Sequence, residues 1–224
     1  MTAGRAPPLV LLHGAGGTGA FWAPIRARLG DLPTLAPDLP GRRAQPGPPR
    51  ATTAEMAAFL AETVLLPDLG PVVLVGHSMG SAVAMELALA SPPLARGQIH
   101  GVILISAGAR LRVLPAILAA QEEAASAAPP GALDEGGCPP ATTLADWRAV
   151  DRFDHLHDAA AISVPTRILV GSEDVLTPPK YAAWLAARVP GAVVEVVEGA
   201  GHMLPVEHPD RVAAALRAAV TAWT

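Results

Sequence analysis

The chain has one cysteine, few charged residues and few aromatic ones. Of its 224 residues, 16% are charged and 4% are Phe, Trp or Tyr. A single thiol excludes an intramolecular disulfide framework and favours a reducing compartment, so we expect a cytoplasmic protein. The cysteine, Cys138, lies in a Gly/Pro-rich segment with no paired histidine close by in sequence, which makes it a poor candidate for a catalytic thiol.

Positive charge and uninterrupted apolar runs are also scarce. The formal net charge is -4, and no cluster of Lys and Arg provides the footprint of a nucleic-acid-binding surface. Residues 71–90 have the length of a transmembrane helix, but glycines, a histidine and a serine interrupt the run. The apolar run at 7–12 is too short for the core of a signal peptide. We therefore expect a soluble protein with neither a nucleic acid nor a membrane as partner, and its oligomeric state stays open.

Apolar residues make up 51% of the chain, and 224 residues suffice for one domain with a full core. Short apolar runs with the length of buried strands lie at 9–12, 34–36, 72–75, 101–107, 166–170 and 193–197. Helical patterns separate most of these runs. Strands that alternate with helices indicate an α/β fold, in which a mostly parallel sheet is flanked by helices on both faces.

The most specific motif lies within residues 71–90. Four apolar residues end at the sequence Gly76-His77-Ser78-Met79-Gly80, and a helix-forming run begins at once. A strand must therefore turn directly into a helix with Ser78 at the corner. The two glycines remove Cβ atoms that would collide where strand and helix meet. This pattern predicts a nucleophile elbow, in which strained backbone presents the serine hydroxyl and the Met79 amide points to where negative charge develops.

A glycine-rich loop follows the first predicted strand. Residues 13–19 read HGAGGTG, and glycines at the carboxyl end of a strand let backbone amides approach an anion closely. The loop lacks the Lys-Ser/Thr pair of a P-loop and does not have the spacing of the dinucleotide-binding fingerprint. We therefore interpret it as an oxyanion loop rather than a phosphate site.

Two further reactive side chains follow predicted strands, Asp174 after 166–170 and His202 after 193–197. The chain order serine, aspartate, histidine is typical of the α/β-hydrolase arrangement and differs from the two protease orders. In such a set the histidine takes the serine proton, and the carboxylate holds the imidazole in the required tautomer. The sequence predicts that Ser78, Asp174 and His202 form a catalytic triad at the carboxyl edge of the sheet.

The segment 111–161 interrupts the alternation of strands and helices. It combines a helical piece at 113–125, a Pro/Gly-rich loop and a polar stretch. Because it is too long for an unstructured loop in a compact domain, we expect a small helical lid inserted between core segments 1–110 and 162–224. Its content of Ala, Leu and Val favours an apolar acyl pocket.

Three polar motifs are interpreted structurally. Asp38 lies between prolines at a strand end, where an aspartate usually fixes a turn through its own backbone. Thr52 and Glu55 have the spacing of a capping box and open a helix predicted to end near residue 66. His155 and His157 are two residues apart, which separates their imidazoles on a strand or a helix, so a solvated face or helix cap is favoured over a metal site.

The chain resembles the small carboxylesterase-like members of the α/β-hydrolase superfamily across nearly its whole length. The matching segments are LLHGAGGTGAFW, LAPDLPG, VLVGHSMGSAVAMELAL, VPTRILVGSEDVLTP and VEGAGHMLPVEHP. The resemblance implies Ser78 as nucleophile, Asp174 as acid and His202 as base. It also implies that the oxyanion amides are those of Ala15 and Met79. Serine at position 78 distinguishes the chain from haloalkane dehalogenase and epoxide hydrolase relatives, which use a carboxylate.

Three features depart from the family pattern. Ser81 replaces the glycine that often follows the elbow, and we expect it to crowd the helix. Arg42 and Arg43 replace the usual His-Gly after Asp-Leu-Pro-Gly. The strands that normally precede the strand before the His-Gly loop are missing, which predicts a trimmed version of the fold.

The predicted function is that of a serine esterase acting on small or medium acyl esters, with no metal or organic cofactor and a small-molecule ester as partner. The same triad also serves carbon-carbon bond hydrolases or lyases and lactonases in related proteins. From a different class, a non-catalytic ligand receptor on a hydrolase fold stays open, because fold does not determine function.

Overall fold

The computed structural model describes residues 6–89 and 98–223. Its strands form one sheet in the order β2-β1-β3-β4-β5-β6, and every neighbouring pair is parallel. The strands are β1 (Leu9–Leu12), β2 (Thr34–Leu35), β3 (Val72–His77), β4 (Ile99–Ile105), β5 (Thr166–Gly171) and β6 (Val193–Val197). The predicted parallel α/β architecture is confirmed.

Helices cover both faces of this sheet. They are α1 (Ala23–Leu29), α2 (Thr53–Thr63), α3 (Met79–Leu89), α4 (Pro115–Ala127), α5 (Pro140–Arg152), α6 (Pro179–Ala186), α7 (Leu204–Glu207) and α8 (Pro209–Trp223). Alternate residues of each strand point to opposite faces. Leu74 of β3 therefore packs in a core with α2, α3 and α6, while Val73 packs with α1, α7 and α8. Within the described residues, no helix combines the length and apolarity needed to cross a bilayer.

Several element boundaries differ from the predictions. The side chain of Thr52 caps α2 by accepting from the Glu55 amide, as the capping motif predicts, but the helix ends at Thr63 rather than near residue 66. The Glu55 carboxylate accepts from the Ala51 amide instead of the Thr52 amide.

Helix α3 is buried nearly all round, as its sequence predicts.

The segment 111–161 holds two α-helices rather than one, and a short 3-10 helix at Ala159–Ala161. Helix α4 was expected, whereas α5 (Pro140–Arg152) was not predicted. Helix α5 begins at Pro140. Proline is favourable at the first helical position because the backbone N–H that it lacks would have no partner within the helix there. All residues of the segment are described, and none of them belongs to a strand of the sheet. The segment thus packs on the core as a helical pair, and its role as a lid remains a prediction.

Candidate active site

The elbow at Ser78 has the strained geometry that its sequence predicts. Ser78 lies between β3 and α3 with a φ of 53°, in the left-handed region that residues with side chains seldom adopt. A Cβ built on Gly76 would come 2.2 Å from the Gly80 carbonyl oxygen, and one on Gly80 would come 2.1 Å from the Leu12 carbonyl oxygen. Gly76 therefore permits the close contact of strand and helix, while Gly80 permits the contact with the end of β1.

Ser81 does not crowd the helix, contrary to our expectation. Its buried hydroxyl lies 2.7 Å from the Gly76 carbonyl oxygen, to which it donates. The Ser81 hydroxyl oxygen in turn accepts from the Ile105 amide at 3.1 Å. A serine fits here because its hydroxyl satisfies backbone groups at the ends of β3 and β4 that a glycine leaves without these partners.

The structure brings Ser78, His202 and Asp174 into one hydrogen-bonded chain. The Ser78 hydroxyl lies 3.0 Å from Nε2 of His202, and Nδ1 of His202 lies 2.9 Å from Oδ2 of Asp174. Because the carboxylate can only accept, Nδ1 carries the proton and Nε2 is free to accept the serine proton. Each residue follows a different strand, so the chain assembles at the carboxyl edge of the sheet.

Asp174 is held by more donors than His202 alone. Oδ1 accepts from the backbone amides of Leu176 and Thr177, and Oδ2 accepts from the Thr177 hydroxyl at 2.8 Å. Burial by itself raises the pKa of Asp174, but the hydrogen bonds from His202 and Thr177 outweigh it and lower the pKa to about 2. Asp174 is therefore ionised at neutral pH. Thr177 had no signal in the sequence beyond its place three residues after the aspartate.

The backbone of His202 is also anchored. Its carbonyl oxygen accepts from Nε2 of His77 at 2.8 Å and from the hydroxyl of Ser106 at 3.1 Å. The His77 ring stacks on Phe21 with centroids 5.0 Å apart. Burial, followed by the nearby His202, lowers the pKa of His77 to about 4, so this imidazole is neutral at neutral pH. Sequence reasoning identified neither His77 nor Ser106 as part of the site.

The two residues predicted to hold an oxyanion through their backbone amides belong to the site around Ser78. Ala15 and Ser78 line the same cavity, and Met79 is the first residue of α3, next to Ser78. Within the described part of the chain, neither the Ala15 amide nor the Met79 amide donates to a protein acceptor. Both N–H groups are thus available to a negative oxygen formed near the Ser78 hydroxyl.

A cavity of about 750 Å³ opens above these groups. The core provides Phe21 and Leu176, and the segment 111–161 provides Ala124 of α4 and Trp147 of α5. Polar side chains of the same segment also line the cavity: Gln121, Asp134, Glu135 and Thr143. The cavity wall is therefore a mixture of apolar and polar side chains, two of them acidic, whereas the composition of the segment favoured an apolar acyl pocket.

Arg42 and Asp146 form a buried ion pair beside the glycine-rich loop. Neither side chain is exposed to solvent, and Nη2 of Arg42 donates to Oδ2 of Asp146. Burial raises the pKa of the Asp146 carboxyl, an effect that the Arg42 charge and a hydrogen bond from the Gly16 amide oppose. The sequence had identified Arg42 only as a departure from the family pattern, and Asp146 gave no signal.

The residues interpreted structurally have other partners than expected. Asp38 accepts from the Gly19 amide, 19 residues away, at 2.6 Å, so it joins two loops rather than fixing its own turn. His155, for which a solvated face or helix cap was favoured over a metal site, is half-buried between Glu86 and Asp158. With contacts of 3.1 and 3.0 Å it pairs with these two carboxylates instead of facing solvent. His157 is exposed.

Cys138 is buried, and burial raises the pKa of its thiol to about 11.

Comparisons with known proteins match nearly the whole chain. The model of the alpha/beta hydrolase family matches residues 9–215. Lipase LipV of Mycobacterium tuberculosis is 29% identical over 93% of this chain and 91% of the lipase. The putative carbamate hydrolase RutD of Escherichia coli is 27% identical over 92% of this chain and 84% of the relative. The structure of a thermophilic esterase from Thermogutta terrifontis superimposes with a TM-score of 0.80 at 26% identity, covering 98% of this chain and 91% of the esterase.

Proposed function

The chain belongs to the alpha/beta hydrolase family, and we propose that it is a serine esterase cleaving carboxylic esters of small to medium acyl chains. The observation that carries the proposal is the hydrogen-bonded chain from Ser78 through His202 to Asp174, which opens into the cavity. Nucleophile, base and carboxylate stand in the geometry that acyl transfer requires.

In the proposed acylation step, the Ser78 oxygen attacks the ester carbonyl carbon while Nε2 of His202 takes the hydroxyl proton. The carbonyl oxygen becomes an oxyanion that accepts hydrogen bonds from the Ala15 and Met79 amides. The Asp174 carboxylate, ionised because its pKa is about 2, stabilises the imidazolium that forms. Collapse of the tetrahedral intermediate breaks the ester C–O bond, and His202 protonates the departing alkoxide.

Deacylation repeats these steps with water. Nε2 of His202 removes a proton from a water molecule, and the resulting hydroxide attacks the acyl-enzyme carbonyl. The same two amides hold the second oxyanion. When the intermediate collapses, His202 returns its proton to Ser78, which releases the carboxylic acid and restores the starting state.

The cavity supports a neutral acyl group of moderate size as substrate. Its volume of about 750 Å³ lies in the range of small-molecule sites. Phe21, Trp147 and Leu176 offer apolar contacts, whereas Asp134 and Glu135 on the wall repel an anionic substrate. The relatives named as a lipase and as an esterase support carboxylic esters as the substrate class. Because another relative is named as a putative carbamate hydrolase, carbamates are the substrate class to compare with esters.

The proposal is tested with a series of p-nitrophenyl esters from acetate to decanoate and a p-nitrophenyl carbamate. We expect the highest kcat/KM for esters of short or medium chain. Ser78→Ala and His202→Ala should lower kcat by about 10³-fold or more, because nucleophile or base is removed. The exposed His157 lies on the same segment as part of the cavity wall but does not line it, so His157→Ala serves as control and should retain wild-type kcat within about twofold.

Different results separate the competing functions. Faster turnover of the carbamate than of every ester would replace the ester assignment with a carbamate one. Covalent labelling of Ser78 by an organophosphonate without turnover of the series would favour carbon-carbon or lactone substrates. If the protein neither reacts with the probe nor turns over any substrate, the proposed triad chemistry is wrong and a ligand receptor becomes the better explanation.

A further inference from the structure

We propose that Arg42 and Asp146 are positioning residues that hold the Ala15 amide in place for the oxyanion. The proposal rests on the function proposed above. Neither side chain lines the cavity that contains Ser78, so both act through the loop 13–19 rather than on a substrate. Because Asp146 lies on α5, the inference gives segment 111–161 a role in positioning the oxyanion loop in addition to lining the cavity.

The orientation of the Ala15 N–H depends on the carbonyl of Gly14. Both groups belong to one trans peptide plane, so the N–H points opposite to the carbonyl oxygen. The Gly14 oxygen accepts from the Gly17 amide at 3.1 Å and from Nδ1 of the buried His13 at 2.9 Å. The Gly17 amide is therefore one of two donors that fix the direction in which the Ala15 N–H points.

Arg42 and Asp146 hold the two residues that follow Ala15. Oδ2 of Asp146 accepts from the Gly16 amide at 2.9 Å, and Nε of Arg42 donates to the Gly17 carbonyl oxygen at 2.9 Å. The ion pair thus fixes one donor and one acceptor of consecutive residues. With Gly17 fixed, its amide keeps the Gly14 carbonyl in place.

Contacts with the rest of the segment reinforce this arrangement. Thr143, one turn before Asp146 on α5, packs so closely on Gly16 that a Cβ there would come 2.9 Å from Cγ2 of Thr143. A Cβ built on Gly136 would come 2.3 Å from the Gly16 carbonyl oxygen. The loop is therefore sandwiched between the core and segment 111–161, and its shape depends on both.

A stable core does not require the Arg42–Asp146 ion pair at this position. Replacing a buried ion pair by apolar residues of similar volume is often neutral or stabilising, whereas removal of one partner leaves a buried charge unpaired. Apolar side chains, however, cannot donate to the Gly17 carbonyl or accept from the Gly16 amide. The distinctive contribution of the pair is its hydrogen bonds to the loop.

The deciding variant is the double substitution Arg42→Met/Asp146→Leu, which removes both charges together. Its matched control is Arg148→Met/Glu122→Leu, which makes the same chemical changes in the exposed ion pair that joins α5 to α4 at 2.7 Å. For each protein, kcat and KM are measured with the best p-nitrophenyl ester. Active sites are counted by end-point organophosphonate labelling, so that kcat refers to folded, reactive enzyme, and Tm is recorded alongside.

We expect kcat per active site to fall roughly 10- to 100-fold in the Arg42/Asp146 double variant, because one oxyanion donor is misplaced rather than removed. KM should change less than about threefold, and the control should keep kcat and KM within about twofold. A merely structural role predicts a lower Tm or fewer active sites with unchanged kcat per site, and that result would overturn the proposal.

A second variant decides if the double variant does not fold. Arg42→Lys keeps the positive charge beside Asp146, but a compact ammonium cannot reproduce the fork that bonds Asp146 and the Gly17 carbonyl together. A fall in kcat per site of at least about fivefold supports the positioning role, and a change within about twofold contradicts it. If the wild-type protein shows neither ester turnover nor labelling, the proposed esterase function is wrong, and the positioning role, which rests on that function, is wrong with it.

Discussion

The ring of His77 donates to the backbone carbonyl of His202 over 2.8 Å, so the residue before the proposed nucleophile holds the loop of the proposed base. The carbonyl can only accept, which places the His77 proton on Nε2. Its pKa of about 4 keeps the ring neutral through the pH range in which the enzyme is expected to work. His77, the last residue of β3, thus connects this strand with the turn that follows β6.

We predict that His77→Leu lowers kcat about tenfold, because the Ser106 hydroxyl is then the one donor to the His202 carbonyl that remains among the described residues. His77→Gln, whose side-chain amide can donate in the same direction, should recover part of the loss. Steady-state kinetics normalised to labelled active sites measure both variants. Equal kcat for His77→Leu and wild type would show that the hydrogen bond does not position the base.

Asp174→Asn should lower kcat by about 10³- to 10⁴-fold while the protein stays folded. The amide has the same shape as the carboxylate, but it cannot hold His202 in the tautomer that accepts the serine proton, nor stabilise its imidazolium. The control is Asp158→Asn, which changes an exposed carboxylate that also contacts a histidine. Comparable losses in the two variants would mean that Asp174 has no special role.

The ion pairs of His155 predict a pH-dependent contribution to stability. Burial lowers the pKa of His155, but hydrogen bonding to Asp158 and the charge of Glu86 outweigh burial and raise it above 6.5. A raised pKa means that the folded state binds the proton more tightly than the unfolded state. The stabilisation is therefore complete below pH 6.5 and is lost as the pH rises through the folded-state pKa.

This sign is tested by urea denaturation of wild type and His155→Gln at pH 5.5 and pH 8.5. We expect wild type to exceed His155→Gln in unfolding free energy by more at pH 5.5 than at pH 8.5. The two differences should themselves differ by on the order of 1 kcal/mol, as for a half-buried, charge-assisted hydrogen bond. The same pair of measurements on His157→Gln, whose imidazole is exposed, provides the control. A larger difference at pH 8.5 would show that the sign is wrong.

Gly80→Ala should destabilise the fold more than Gly30→Ala. The added methyl group at position 80 would lie 2.1 Å from the Leu12 carbonyl oxygen, so backbone must move, whereas nothing lies within 4 Å at position 30. Overpacking of this kind typically lowers the free energy of unfolding by about 1–3 kcal/mol. Because the clash at position 80 is with backbone, which moves less readily than a side chain, we expect Gly80→Ala to lose about 3 kcal/mol or more. Urea midpoints compare the two, and equal midpoints would contradict the close packing of α3 on β1.

The proposed triad positions could be predicted from sequence because each carries a local signature. Ser78 stands in a five-residue motif between an apolar strand and a helix, and Asp174 and His202 each follow an apolar run that ends in small or polar residues. Parallel strands then place all three residues at the same edge of the sheet. The structure adds their distances, which no sequence pattern specifies.

The pair Arg42 and Asp146 had no such signature. The two residues are 104 positions apart, and their meeting depends on how α5 packs against the glycine-rich loop. Helix α5 itself went unpredicted because most of the side chains on its buried face are polar, although Pro140 at its first position is a start signal. The buried residues of α5 are Thr142, Thr143, Asp146, Ala149 and Val150. The partners of His155 were missed for a related reason, since Glu86 lies on α3, far from His155 in sequence. Local patterns identify groups with reactive side chains, whereas tertiary packing decides what holds them.

Peptide mapping of the protein after reaction with a fluorophosphonate tests the assignment of Ser78 most directly. We predict one adduct per chain, located on Ser78, absent from Ser78→Ala and formed much more slowly in His202→Ala. The buried Ser106, which also has a φ of 53°, is the internal comparison and should stay unmodified. An adduct on any other residue, or equal labelling of Ser78→Ala, would contradict Ser78 as the nucleophile.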